Sequence, residues 1–259
     1  MHSSLLQKRL NNISDSISSN NESLTSSCSS TPTHSTTWLE SPLIDLRIMN
    51  NEHRNKVFEL VTEIFFRDEP LNKCLAFNLP YEPIEFIEYV IKIALEDQCS
   101  FVAIDIQTQN IIGVIINIIK HRSIITTINN NQNNFNINNF QSEKLRFILN
   151  ILQHVHDNID LFKELNTDHL LHIVIIAIDV HYRGLRLTEK LIHASLEHAK
   201  NKFNIKGAFS EATSLYSAKA FYKQGFQKYN EIIYIKYDSI RLASLVGEHD
   251  RCQLLAKQL

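Results

Sequence analysis

Leu170-Leu171-His172-Ile173-Val174-Ile175-Ile176-Ala177-Ile178-Asp179-Val180-His181-Tyr182-Arg183-Gly184-Leu185-Arg186-Leu187-Thr188 is the stretch on which the reading of the fold turns. From Leu170 to Val180 it is almost continuously apolar and β-branched, the pattern of a strand covered on both faces and therefore central in a sheet. A short polar turn follows, and then Leu187, Leu191, Ile192, Leu196 and Ala199 recur at helical spacing. A helix that starts directly after a buried strand offers unpaired backbone N–H groups and the positive end of its dipole, a ready place for a phosphate or pyrophosphate. An ordinary strand-to-helix turn has the same appearance, so this junction alone does not decide function.

Outward from it, strands and helices alternate. Leu43–Ile48 reads as an edge strand. A helix runs over Glu52–Phe66, ending at an acidic loop, Arg67-Asp68-Glu69-Pro70. A second helix over Pro83–Asp97 precedes strands at Phe101–Ile106 and Ile111–Ile119, and helical periodicity resumes from Glu143 to about Leu161. Beyond the central junction come a strand at Ile205–Ala212, a helix at Ser214–Lys223, and strands at Gln227–Lys236 and Cys252–Lys257. The alternation gives one α/β domain over residues 38–259, a mixed sheet flanked by helices, without internal repeats. Two segments stand apart from it. Residues 1–37 are rich in Ser, Thr and Asn and read as a disordered tail, and eight of the fourteen residues in 129–142 are Asn, a low-complexity surface insertion without apolar burial or chemistry.

Composition narrows the function classes. The chain has 259 residues, 44% of them hydrophobic, with five glycines and five prolines, which is enough to bury a sizeable core. A formal net charge of −2 lacks the basic footprint of a nucleic-acid binder or a polybasic membrane-surface protein. Cys28, Cys74, Cys99 and Cys252 are scattered, which argues against a disulfide framework and a zinc site and fits a reducing, cytoplasmic compartment. No apolar run reaches the ~18 residues that cross a bilayer. Lys8 and Arg9 near the start are followed by Asp15 and Glu22, which is not the pattern of a transit peptide. His154 and His156 are two apart on an expected helix and face different directions, and His169 and His172 fall at a strand start without a carboxylate or thiol partner nearby in sequence, so no metal site is expected of them; His121 is uninformative and His181, beside the cofactor loop, reads as a surface residue.

Three blocks in register carry a resemblance: Asp68-Glu69-Pro70-Leu71-Asn72, Tyr182-Arg183-Gly184-Leu185, and Tyr216-Ser217-Ala218 with Gly225-Phe226. Together they resemble the GNAT superfamily of N-acetyltransferases, and within it the arylalkylamine or dopamine N-acetyltransferases of the insect type, over roughly residues 40–258. The resemblance implies a mixed sheet splayed between its two central parallel strands and acetyl-CoA as co-substrate, without a metal. It also implies a cofactor loop formed by Ile178, Val180, Arg183, Gly184, Leu185, Arg186, Leu187 and Thr188. By the same resemblance Glu69 is the general base, and Thr213 and Ser217 are hydroxyls that bind the amine and return a proton. Chemistry gives an independent reason for a base: an amine of pKa ~10.4 is only about one part in a thousand neutral at pH 7, and only the neutral form attacks.

Other readings of these residues stay open at this point. Glu69 beside Pro70 also suits a surface carboxylate at a helix end, and Thr213 or Ser217 suits a helix cap near Ser214. Phe221 stands where many GNAT enzymes carry a tyrosine as general acid, which leaves Ser217 or solvent for that step. Arg186 stands where the loop normally has glycine; it either adds a phosphate contact, crowds the pyrophosphate, or points to solvent. Phe65, Phe66, Phe77 and Tyr81 are candidate walls of an amine pocket or plain core. The implied partner is a small-molecule arylalkylamine; the rivals are a polyamine or protein-amine acetyltransferase and a CoA-binding protein that has lost activity. Neither nucleic acid nor membrane is expected as a partner, and the oligomeric state is undetermined.

Overall fold

The computed structural model describes residues 43–122 and 136–259. The tail at 1–37 and the first half of the Asn-rich segment, 129–135, lie outside the described residues. In chain order the elements are β1 (Ile44–Ile48), α1 (Arg54–Leu60), α2 (Pro70–Cys74), α3 (Ile84–Asp97), β2 (Phe101–Asp105), β3 (Ile111–His121), α4 (Glu143–His154), α5 (Leu161–Glu164), β4 (His169–Ile178), α6 (Leu187–Phe203), β5 (Gly207–Ala212), α7 (Leu215–Lys223), β6 (Gln227–Ile233), α8 (Tyr234–Tyr237) and β7 (Arg251–Gln258). The strands form one seven-stranded sheet in the order β1-β2-β3-β4-β5-β7-β6, so the apolar run read as central is the fourth of seven.

All neighbours are antiparallel except β4 and β5, which pair in parallel only from Leu170–His172 to Gly207–Phe209. Past His172 and Phe209 the two strands part, and the Ser210 hydroxyl, donating to the Ile173 carbonyl at 2.9 Å, ties them just beyond the last pair. On its other edge β4 carries a bulge: Asn117 is opposite Ile173 and Ile116 opposite Ile175, so Val174 is an extra residue. An extra residue reverses the alternation of faces. Leu171 and Ile173 pack with Leu187, Leu191 and Leu196 of α6, while Ile175 and Ala177 pack with Val61, Phe86 and Val90 of the helices on the opposite face. A third cluster joins α4 and α5 to Phe209, Tyr234 and Leu254.

Three expectations need correction. The helix expected to reach Leu161 stops at His154, and a fresh short helix, capped by the Asp160 carboxylate on the Lys163 N–H, begins at Leu161. The end of the Asn-rich segment is not free of apolar burial, because Phe140 is buried against Phe86 and Tyr89. The first long helix is not regular either. After α1 it widens into a π turn at Val61–Phe65 and closes in one α turn at Phe66–Asp68; within the π turn the Thr62 hydroxyl donates to the Phe58 carbonyl.

Candidate active site

The residues after that π turn do not form a simple loop. Glu69 leaves the helix in an extended conformation (φ −64°, ψ 133°), Pro70 takes the first position of α2, where a missing N–H costs nothing, and the Glu69 carboxylate caps α2 by accepting the Asn72 N–H at 2.8 Å. The cap binds Oε2. Oε1 is shielded from solvent and accepts no hydrogen bond. Burial raises the Glu69 pKa above its usual value; the Asn72 N–H, the nearby Thr213 hydroxyl and the Leu71 N–H act in the opposite sense without cancelling it. The result is a carboxylate whose basicity exceeds that of a surface glutamate, with one oxygen lacking a partner.

Glu69 lies on the wall of a cavity of about 1650 Å³ that reaches from the π turn, past the parted strands β4 and β5, to the start of α6. At that far end, Asp179 caps a short turn by accepting the His181 N–H, Gly184 sits at φ +86°, and α6 begins at Leu187. A Cβ at Gly184 would meet nothing within 4 Å, so the glycine serves its left-handed backbone and leaves the cradle open. The first backbone N–H groups of α6 point out of the helix there, as an anionic ligand requires. Ile178, Arg183, Gly184, Arg186, Leu187 and Thr188 line the cavity, whereas Val180 and Leu185 do not; Val180 is exposed and Leu185 packs against the α6 core.

A sheet parted between its central parallel strands, with a helix N-terminus facing the gap, has clear counterparts among solved structures. The arylalkylamine N-acetyltransferase 2 of Aedes aegypti matches over 83% of this chain and 98% of its own, at 25% identity and a TM-score of 0.70. A putative arylalkylamine N-acetyltransferase 7 of the same mosquito covers 83% of this chain and 87% of its own (21% identity, TM-score 0.69). A Drosophila melanogaster polyamine N-acetyltransferase, described as forming N-acetylagmatine, covers 83% and 100% (16% identity, TM-score 0.65). The fold is a GNAT fold of the arylalkylamine N-acetyltransferase kind. No family model matches the chain, and no curated protein does.

Within this GNAT fold the three sequence blocks converge. Asp68 binds Arg183 at 2.7 Å, joining the turn that carries Glu69 to the loop before α6. Burial opposes the Asp68 charge, and the Arg67 and Arg183 guanidiniums outweigh it, holding its pKa below the usual carboxylate range. Thr213 is not a cap: its carbonyl accepts the buried Tyr234 hydroxyl at 2.8 Å, and its own hydroxyl favours the ionised form of Glu69. Ser217 lines the cavity but is committed to a capping box, in which Ser214 Oγ accepts the Ser217 N–H and Ser217 Oγ accepts the Ser214 N–H. Arg186 adopts φ +58°, the left-handed conformation that glycine takes easily, and its guanidinium turns to Glu189 at 2.6 Å. Phe221 is buried against Phe226, Tyr222 donates to Gln253 at the surface, and Tyr216 is exposed beside His249. Of the proposed pocket walls, Phe65 and Phe66 line the cavity and Phe77 and Tyr81 do not.

Two of the histidines meet a carboxylate that is distant in sequence: Glu211, whose side chain is only 9% exposed, binds His156 Nε2 through Oε1 at 2.6 Å and His172 Nε2 through Oε2 at 2.7 Å. Burial opposes the Glu211 charge, and the two imidazoles reverse this and hold its pKa far below the usual range. Glu211 is 39 residues from His172 and 55 from His156, and only the parallel pairing of β4 with β5 brings them together. Among the described residues no group of His, Cys, Asp or Glu is arranged to hold a metal ion, and no helix is long and apolar enough to cross a membrane.

Proposed function

We propose that the protein is an N-acetyltransferase that moves an acetyl group from acetyl-CoA to a primary amine, with arylalkylamines as the amine class. The observation that carries this reading is the Glu69 carboxyl: capped on one oxygen, unpartnered on the other, made more basic by burial, and set in the wall of the cavity that ends at the α6 N-terminus. Acetyl-CoA would lie with its pyrophosphate against the loop from Arg183 to Thr188 and its pantetheine arm between the parted β4 and β5, which points the thioester toward Glu69. Glu69 takes a proton from the bound ammonium, directly or through a water. The neutral nitrogen attacks the carbonyl carbon, the C–N bond forms, the C–S bond breaks, and CoA leaves as a thiolate that collects a proton. Thr213 supports the ionised Glu69. The Ser217 hydroxyl is the protein O–H we assign to proton return, since Phe221 has none. Aromatic Phe65 and Phe66 on the cavity wall fit an aryl group, in keeping with the likeness to the Aedes aegypti enzyme. The buried free thiols of Cys99 and Cys252 agree with a reducing, cytoplasmic compartment.

The test is CoA release from acetyl-CoA in the presence of aryl amines, agmatine, spermidine and a lysine peptide. Turnover of the aryl amines is expected. Preference for agmatine or spermidine would replace the amine class, and CoA binding without any turnover would overturn the enzymatic reading.

A further inference from the structure

Three lysines line the cavity, and none of them has a part in the chemistry above. Lys219 and Lys223 are exposed on α7, with Lys223 held by Glu189 at 2.7 Å. Lys120, on β3, is partly buried. Strand register sets its place. Ile118 stands opposite His172 and Lys120 opposite Leu170, and these four side chains line the cavity together with Phe209 and Glu211, while Ile119, Leu171 and Ala208 between them pack toward α6. Lys120 is therefore one strand (~4.8 Å) across and two residues (~6.8 Å) back from His172, the last β4 residue paired with β5 before the gap opens. A flexible four-carbon stem covers most of that distance.

The charge of this amine is poorly compensated. Among the described residues Lys120 has no ion-pair or hydrogen-bond partner, and the acids around it are engaged elsewhere. Both Glu211 oxygens bind imidazoles, Asp97 Oδ2 accepts the Ile119 N–H at 2.7 Å, and the Asp160 carboxylate caps α5 and reaches Arg122 at 3.4 Å. His121 Nδ1 lies 2.7 Å from His169 Nδ1, and Asn150 and Gln153 add uncharged polar groups to this wall. Burial lowers the Lys120 pKa, and Glu211 and Asp97 act in the opposite sense without cancelling it. Each unit of such lowering makes the neutral, nucleophilic form about tenfold commoner at pH 7. The cavity assigned to acetyl-CoA therefore already holds a primary amine, the kind of nucleophile the reaction consumes.

We infer that Lys120 is a self-acetylation site, whose Nζ attacks the acetyl thioester held in the same cavity when no small amine is present. The neutral nitrogen attacks the carbonyl carbon, the C–N bond forms as the C–S bond breaks, and the proton lost by nitrogen ends on the CoA thiolate. The products are N-acetyl-lysine at position 120 and CoA as the free thiol. This inference rests on acetyl-CoA as the co-substrate of the proposed function and adds a covalent state of the chain itself: the acetyl group abolishes the cation beside Glu211 and Asp97 and takes up room in the cavity, and a free amine that competes for the thioester protects the lysine.

The test is peptide mapping by mass spectrometry of the full-length protein, unmodified at Lys120, after incubation with acetyl-CoA and no amine. Acetyl incorporation at Lys120 should exceed that at the exposed Lys92 and Lys202 by about tenfold or more, the gain expected from holding both reactants in one site, and desulfo-CoA should suppress it. Incorporation no faster than at the exposed lysines, or unaffected by desulfo-CoA, overturns the inference. A second readout needs no CoA: in labelling with trace acetic anhydride across pH, the midpoint for Lys120 should fall below the ordinary lysine value of ~10.4, and a midpoint at or above it overturns the inference. The two readings fail separately. Turnover of free amines with Lys120 left unmodified overturns self-acetylation and leaves the amine acetyltransferase standing, whereas selective acetylation of Lys120 without turnover of any amine upholds self-acetylation and overturns the amine reading.

Discussion

Replacing Glu69 by Gln separates the proposed role as a base from the observed role as a cap. The glutamine oxygen can still accept the Asn72 N–H, a cap contribution of about 1 kcal/mol, so α2 should survive. What is lost is proton acceptance, at a cost of about 10²- to 10⁴-fold in the transfer rate. The pH profile is more telling than the rate. With Glu69 in place the ammonium form of the amine is usable, so kcat/KM should level off once the pH passes the Glu69 pKa, which lies above its ordinary 4.5. Without the base only free neutral amine reacts, and kcat/KM should keep rising about tenfold per pH unit toward the amine pKa of ~10. Stability supplies an independent readout. A carboxyl whose folded pKa is raised contributes stability fully below its unfolded pKa and loses it as pH rises through the folded pKa, by ~1.4 kcal/mol per unit of the rise. Urea unfolding of both proteins should therefore show the wild type losing ground to Glu69→Gln above pH 4.5 and the difference becoming flat beyond the folded pKa. The absolute difference is less informative, because the glutamine amide also brings N–H donors to the place where Oε1 has no partner. Matching pH–rate profiles for the two proteins would refute the general base, and a pH-independent stability difference would refute the raised pKa.

Two further substitutions test the loop and the cap. Arg186→Gly removes a left-handed arginine, worth ~1 kcal/mol, and an exposed ion pair to Glu189, worth ~0–1 kcal/mol, while Glu189 keeps Lys223 at 2.7 Å. Thermal unfolding should thus change little, and calorimetric CoA affinity should stay within about threefold; a tenfold loss would mean that the guanidinium leaves Glu189 for the pyrophosphate. Ser217→Ala leaves the Ser214 cap on the residue-217 N–H but removes the return half of the capping box, and should cost about 0.5–1.5 kcal/mol in chemical unfolding. If single-turnover acetyl transfer is slowed beyond what the loss of folded protein explains, the hydroxyl serves the chemistry as well, and an unchanged rate would confine it to the cap.

Much of this was legible in the chain because it is local. The uninterrupted apolar run became the middle strand, the glycine of Tyr182-Arg183-Gly184-Leu185 has the positive φ that its place in a tight turn requires, and Ser214 caps the helix that follows it. The sequence singled out Glu69 through the block around it, but not the burial that raises its pKa. Its surroundings include α2, a five-residue helix too short to show periodicity, and Thr213, which follows the far end of β5.

Contacts set by strand register are the ones a sequence hides. The sequence puts His172 and Glu211 each in a strand, and nothing in either strand says that the two are parallel neighbours or that their pairing ends after Phe209. The bulge at Val174 conceals more, because that single extra residue puts His172 and Ile175 on one face of β4 where regular alternation would separate them. The parting of the two strands removes backbone pairing just past His172 and Phe209. Ser210 and Glu211 then bridge the strands through side chains, Ser210 to a backbone carbonyl and Glu211 to an imidazole. An apolar pair would hold the strands without the cost of burying a carboxylate. The ionised bridge thus stands just where β4 and β5 part, on the wall of the cavity that runs between them.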